Sequence, residues 1–226
     1  LYRMQQNFIN GFTHELKTPI ASLRLFLDTF YKHELPRQEQ LKYIEFMKRD
    51  TERLADNVEQ ILYLGRIEDR SYKGEMSLVD LSKFMESLIE KARHLHEDLE
   101  IKIKNSGENW CHVDRKLFEA LVLNLISNSD RYKQSSSGLL EVDVLGEGAK
   151  ITLSFKDNGI GIDKKFHKKI FKKFFQVGKS AKGSGLGLYF VWQVVKMHKG
   201  NIKVDSEGKD CGSLFTITLP RVKFND

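Results

Sequence analysis

The sequence predicts an α+β chain: an N-terminal helical hairpin followed by an α/β sandwich, in which helices cover one face of a mixed, mainly antiparallel sheet. Three observations carry this prediction. Up to about residue 70, apolar residues recur at alternating four- and three-residue steps, the spacing of helices that bury a narrow stripe. Beyond a short polar stretch the periodicity changes, and residues alternate as strands do. The later alternating runs come in pairs, the first of them joined through glycines, and are interleaved with helical segments, which favours hairpin-linked strands under helices.

In the first helix the stripe is Leu16, Ile20, Leu23, Leu27 and Phe30, and the helix runs to about Lys32. Pro19 removes a backbone donor inside it and should bend it. His33-Glu34-Leu35-Pro36 forms the turn, and a second helix carries Met47, Thr51, Leu54, Val58 and Ile61 at the same spacing. One hairpin has little core of its own. Two copies packing as a four-helix bundle would bury both stripes, so residues 1–70 are expected to form a homodimer.

Residues 71–75, Ser-Tyr-Lys-Gly-Glu, read as a linker, and 76–226 as a second domain. Within it, 81–95 reads as a helix and 100–104 and 110–113 as strands. A helix over 114–129 places Leu117, Leu121, Leu125 and Asn128 on one face. Strand pairs are expected at 140–145 with 151–156 and at 201–206 with 213–219, around a helix from Gly187 to His198 that Gly200 closes.

Composition sets bounds on function. The 226 residues are 40% hydrophobic and 30% charged with three prolines, as in an ordinary ordered globular chain. The net charge of +6 is local, concentrated in Lys164, Lys165, Lys168, Lys169, Lys172, Lys173, Lys179 and Lys182. Such a run is a solvated face or, beside a glycine-rich loop, an attractor of nucleotide phosphates. With no base-reading motif, no direct nucleic-acid partner is expected. Cys111 and Cys211 lack metal-ligand spacing and suit a reducing compartment. Without a signal peptide or bilayer-length apolar run, the chain reads as a soluble piece of something longer.

His14 lies off the apolar stripe beside Glu15, so its imidazole faces solvent and can act as nucleophile or proton carrier near neutral pH. A zinc-protease pattern fails, because Thr18 stands where the second histidine would be. Far downstream, Asn124 and Asn128 share a helical face, and an amide oxygen is a hard ligand suited to Mg²⁺. Asp157-Asn158-Gly159-Ile160-Gly161 follows a strand, where glycines admit a ligand and the aspartate can accept from an exocyclic amine. Phe171, Phe174 and Phe175 form an aromatic cluster. Gly183-Ser184-Gly185-Leu186-Gly187 runs into a helix N-terminus, whose free N–H groups suit polyphosphate.

In this order, these motifs resemble the sensor histidine kinases of two-component systems over nearly the whole chain. The family pairs a dimerisation and histidine-phosphotransfer domain with a Bergerat-type ATP-binding domain. His14-Glu15-Leu16-Lys17-Thr18-Pro19 is similar to its phosphoacceptor box. The resemblance implies that His14 is phosphorylated, that Glu15 polarises its ring, and that Thr18 assists a phosphatase activity. It implies ATP and Mg²⁺ as cofactors, with Asn128 as metal ligand and Asn124, Arg131 and Tyr132 near the nucleotide. Asp157 would read the adenine amino group, with Gly159 and Gly161 shaping the pocket. Phe175 would lie beneath a lid at about 176–182, where Lys179 and Lys182 could meet phosphates, and Gly183, Gly185, Leu186 and Gly187 would meet them too. The implied partners are a second copy and the receiver domain of a response regulator. The implied location is the cytoplasmic portion of a parent protein at the inner membrane. Ser129-Asp130 departs from the family pattern and puts an extra carboxylate one turn from the metal position. A nucleotide-responsive scaffold without phosphohistidine, or a gyrase- or chaperone-type ATPase, would be the other readings, and His14 on an upstream hairpin argues against both.

Overall fold

The computed structural model describes residues 2–69, 71–177 and 185–223, apart from the side chains of 2–12, 14, 15, 53 and 56. Two long helices, α1 (Tyr2–Lys32) and α2 (Arg37–Glu68), form the hairpin. They are followed by β1 (Met76–Asp80), α3 (Leu81–Leu95), β2 (Leu99–Ser106), β3 (Trp110–Asp114), α4 (Arg115–Arg131), β4 (Gly138–Glu147) and β5 (Lys150–Asp157). A 3-10 turn at Lys164–Phe166 then precedes α5 (Gly187–Met197), β6 (Asn201–Asp205) and β7 (Ser213–Pro220).

Within one chain the hairpin closes largely through aromatic rings, among them Phe30 of the stripe, edge-on to Tyr43 at 6.2 Å. Phe26 of α1 stacks on Tyr43 and Phe46 of α2 at 5.4 and 5.8 Å between ring centres, off the expected seam. Ile20 and Leu27, which belong to that seam, stay 52% and 59% exposed. One apolar face thus joins the two helices, and another is left outward. Pro19 sits inside α1 without ending it.

The five-stranded sheet runs β2-β4-β5-β7-β6, with β2 and β4 parallel and the other pairs antiparallel. Both predicted hairpins are present. Strand β1 was not predicted: only its last two residues are buried, so it lacks alternation, and it pairs with β3 in a separate two-stranded ribbon. Helices α3, α4 and α5 pack with the sheet around a core that includes Phe118, Leu121, Phe155 and Phe190, each at most 1% exposed.

Asp80 and Asp114 cap α3 and α4, accepting from Ser82 N and Leu117 N at 3.1 Å. Asp114 also accepts from Glu75 N at 2.8 Å, so the stretch following the hairpin is tied to the start of α4. His198, 4% exposed at the end of α5, accepts at Nε2 from Asp114 N and donates from Nδ1 to Val194 O. Burial pushes its pKa down, and the neutral ring pins α5 against α4. Among the described residues, no helix is long and apolar enough to cross a membrane.

Candidate functional site

A cavity of about 600 Å³ opens between α4, the start of α5, the end of β5 and the second half of α2. Asn124 and Asn128, one turn apart on α4, line it. Asn124 is held at both ends, donating to Ala120 O and accepting from Gln60 Nε2, each at 2.9 Å. Asn128 presents a buried Nδ2 with no partner, so its amide is free to turn its oxygen toward a ligand. Arg131 and Tyr132 line the wall where α4 ends.

Asp157 stands at the last position of β5. Its Oδ1 accepts from Gly159 N at 2.8 Å and Ser213 N at 3.2 Å, which leaves Oδ2 for an amino group of a ligand. Burial pushes this carboxyl's pKa up, against the lowering effect of the two N–H groups. The glycines are required sterically. A side chain at Gly159 would stand 2.6 Å from Tyr132 O, and one at Gly161, where φ is +71°, would overlap Gly208 O. Gly161 lines the cavity, whereas Gly159 is buried behind it.

Phe175 lines the cavity and packs on Phe166 at 5.7 Å. Next to it, Phe174 takes a left-handed φ of 65°, and its N–H donates to Gly185 O at 3.0 Å. Gly185 and Gly187 line the cavity, and among the described residues no side chain caps the N-terminus of α5, so that helix end faces the site as an anion-binding terminus would. Leu186 is a core residue, 1% exposed. Thr18 lies exposed on α1, away from the cavity. The side chains of His14 and Glu15, and residues Lys179, Lys182 and Gly183, lie outside the described residues.

One expectation is corrected. Asp130 does not face the metal position: residues two apart on a helix point to nearly opposite sides, and its carboxylate meets His96 Nδ1 at 2.9 Å and Lys133 Nζ at 2.7 Å. Burial opposes its ionisation, but the Lys133 and His96 hydrogen bonds outweigh that and hold its pKa below the usual carboxylate range. Of the two readings of the lysine run, its described part fits the solvated face: Lys164, Lys165, Lys168, Lys169 and Lys172 are exposed and none lines the cavity. Lys173 pairs with Glu68 of α2 at 2.6 Å, and among the described residues the lysine on the cavity wall is Lys116.

Sequence reasoning missed, among other lining residues, a whole wall made by Asn57, Glu59, Gln60 and Tyr63, all on α2. Tyr63 is 9% exposed and stacks on Phe190 at 6.3 Å. Burial, with the bond to Glu59, pushes its hydroxyl up to about 12. No local signal could reveal them, since they meet the site across more than sixty residues of chain.

Comparison with known proteins agrees with this geometry. Residues 4–70 match the His Kinase A (phospho-acceptor) domain, and residues 113–223 match the histidine kinase-, DNA gyrase B- and HSP90-like ATPase family. Sensor protein RprX of Bacteroides fragilis is 32% identical over 99% of this chain and 45% of its own length. The chain spans about half the length of the curated relatives it matches. In fold it is similar to the histidine kinase AdeS of Acinetobacter baumannii, with a TM-score of 0.68 at 23% identity, covering 93% of this chain and 98% of that one. It also resembles a complex of the histidine kinase ThkA with the response regulator protein TrrA, with a TM-score of 0.65 at 20% identity over 93% of this chain and 60% of that one. With a phospho-acceptor domain on its helical hairpin and an ATPase-family domain built around this cavity, the chain belongs to the sensor histidine kinases.

Proposed function

We propose that this chain is the autophosphorylating core of a two-component sensor, with residues 1–70 as dimerisation and phosphotransfer hairpin, 71–75 as linker and 76–226 as ATP-binding domain. The observation that carries the reading is the convergence of Asn124, Asn128, Asp157, Gly161 and the N-terminus of α5 on one cavity, on a chain whose hairpin matches the phospho-acceptor family. In this reading Asp157 Oδ2 accepts from the adenine amine, Arg131, Tyr132 and Phe175 enclose the nucleoside, and Gly185, Gly187 and the first N–H groups of α5 hold the phosphates. Gly159 and Leu186 shape the loops behind them. Lys179 and Lys182 would contact the phosphates, as would Gly183 of the glycine motif.

The residues present suit Mg²⁺. Among the described residues no cluster of three or more acidic, histidine or cysteine side chains could cage a metal, and Asn128 offers a single amide, which fits an ion that keeps waters and phosphate oxygens as its other ligands. When bound there, Mg²⁺ would offset charge on the phosphates. His14, polarised by Glu15, attacks the γ-phosphorus in line; an N–P bond forms, the bond to the β,γ-bridging oxygen breaks, and ADP leaves. The phosphoryl group then passes to an aspartate of a response regulator's receiver domain, the kind of partner named in the ThkA complex. Thr18 would help a water hydrolyse the aspartyl phosphate of the regulator, which releases inorganic phosphate.

The exposed Ile20, Leu27, Val58 and Leu62 support assembly as a homodimer through a four-helix bundle. We place the chain in the cytoplasmic portion of a parent protein at the inner membrane. The test is incubation with γ-labelled ATP and Mg²⁺. Acid-labile, alkali-stable label that disappears in His14→Gln and Asn128→Ala is the expected result. Binding of ATP without incorporation would sink the kinase reading in favour of a nucleotide-responsive scaffold.

A further inference from the structure

The second half of α2 forms one wall of the nucleotide cavity, and it does so with amides. Gln60 Nε2 donates to Asn124 Oδ1 at 2.9 Å, and it lies 4.0 Å from the point where a side chain on Gly187 would begin. Gln60 therefore reaches over the N-terminus of α5, the place that suits the anionic end of a ligand. Asn57, one turn earlier on α2, lines the same cavity with a buried Nδ2 that has no partner. The contact is fastened further along: Tyr63 stacks on Phe190, and Glu68 accepts from Lys173 at 2.6 Å and from the Tyr189 hydroxyl at 3.1 Å.

We propose that Gln60 is a latch that competes with the β- and γ-phosphates for Asn124 and the α5 terminus, so that a nucleoside triphosphate, unlike a monophosphate, releases α2 from the ATP-binding unit. This rests on the ATP reading above. The physical basis is that Asn124 Oδ1 is engaged by Gln60, and the oxygen cannot serve α2 and a phosphate–metal complex in the same geometry. Each molecule with the latch closed is incompetent for the triphosphate, and the apparent affinity falls by the closed fraction. Asn57 is a positioning residue here, an unsatisfied donor that gains nothing from closure and keeps the closed state shallow. Release is what the hairpin needs if His14 is to meet a phosphate held in this cavity.

The experiment uses the full chain with Mg²⁺ and either the non-hydrolysable β,γ-imido analogue of ATP or AMP. Calorimetry compares native protein with Gln60→Ala and with Gln60→Asn, whose shorter amide falls short of Asn124. Hydrogen exchange is read over residues 57–68. Both variants are expected to bind the triphosphate about fivefold more tightly, the factor one amide hydrogen bond sets, with AMP affinity unchanged. Exchange over 57–68 should rise in native protein on adding the triphosphate and be high in both variants without it. Unchanged or weaker triphosphate affinity in the two folded variants, or equal gains for AMP, overturns the latch. Native protein that binds neither nucleotide would refute the ATP reading itself, a result distinct from native binding with unaltered variants.

Discussion

The helical hairpin and the α/β unit dispose of their apolar residues in opposite ways. In the α/β unit helices and strands bury whole faces, so Leu81, Met85, Val122, Ile126, Leu153 and Val194 are all sealed from solvent. In the hairpin, Tyr63 and Leu64 are the buried hydrophobic residues among those described, and both lie where α2 meets the other unit. Leu25, Leu27, Tyr31, Leu41 and Leu62 stand 47–90% exposed. Two helices cannot enclose a stripe on each, whereas three helices over a sheet can. One unit thus carries its own core, and the other leaves an apolar stripe facing outward and is buried where its end meets α5.

The sharpest way to break the comparison is to cut matched holes in the two units. Phe118 is fully buried and touches the rings of Phe84 and His198, so Phe118→Ala should cost about 3–5 kcal/mol in urea unfolding of the α/β unit. Leu27→Ala should cost under about 0.5 kcal/mol within one chain, as at other exposed sites. Equal losses would mean that the hairpin has a closed core of its own. Next in size is Gly161→Ala. With φ at +71° and the Gly208 carbonyl in the way, it should lose more than about 1 kcal/mol of stability and lower nucleotide affinity at least about tenfold, read by titration calorimetry.

On the hairpin side, Leu27→Asp should weaken the dimer about tenfold or more in sedimentation while leaving the far-ultraviolet spectrum of the chain intact. Loss of helix without dissociation would show the stripe to be an intrachain seam. The smallest effect is electrostatic and belongs to the α/β unit. His198 is held neutral, with its pKa below that of the unfolded chain, so the unfolded state takes up the extra proton as pH falls. Stability from this residue is complete above about pH 6.5 and declines as pH drops below it. The urea midpoint should therefore fall between pH 7.5 and 5.5, and fall less in His198→Phe.

Much of this was legible in sequence because the signals are local. Alternation located β4, β5, β6 and β7, and four-three spacing located α1 and α2 with their ends. Motif chemistry located Asn124, Asn128, Asp157, Gly161 and Gly187 on one cavity. Where the reading failed, the missing information was non-local. Strand β1 has no alternation because its ribbon is half exposed. Asp130 was placed beside the metal by adjacency in sequence, and helix rotation turns it to His96 and Lys133 instead. The lysine run leaves two readings open in sequence, and for Lys173 the position of Glu68 on α2 decides its partner.

The sequence by itself determined the two kinds of segment, their order, the glycines that must stay glycine, and the residue types that suit a nucleotide. Each of these follows from periodicity, backbone conformation or side-chain chemistry within a few residues. Only the tertiary structure decided that α2 closes one wall of the cavity, that Gln60 occupies Asn124, and that Tyr63 is buried against Phe190. Those contacts join residues 64 to 127 positions apart in the chain, and their partners are chosen by how α2 packs along α5, a packing that no local pattern encodes.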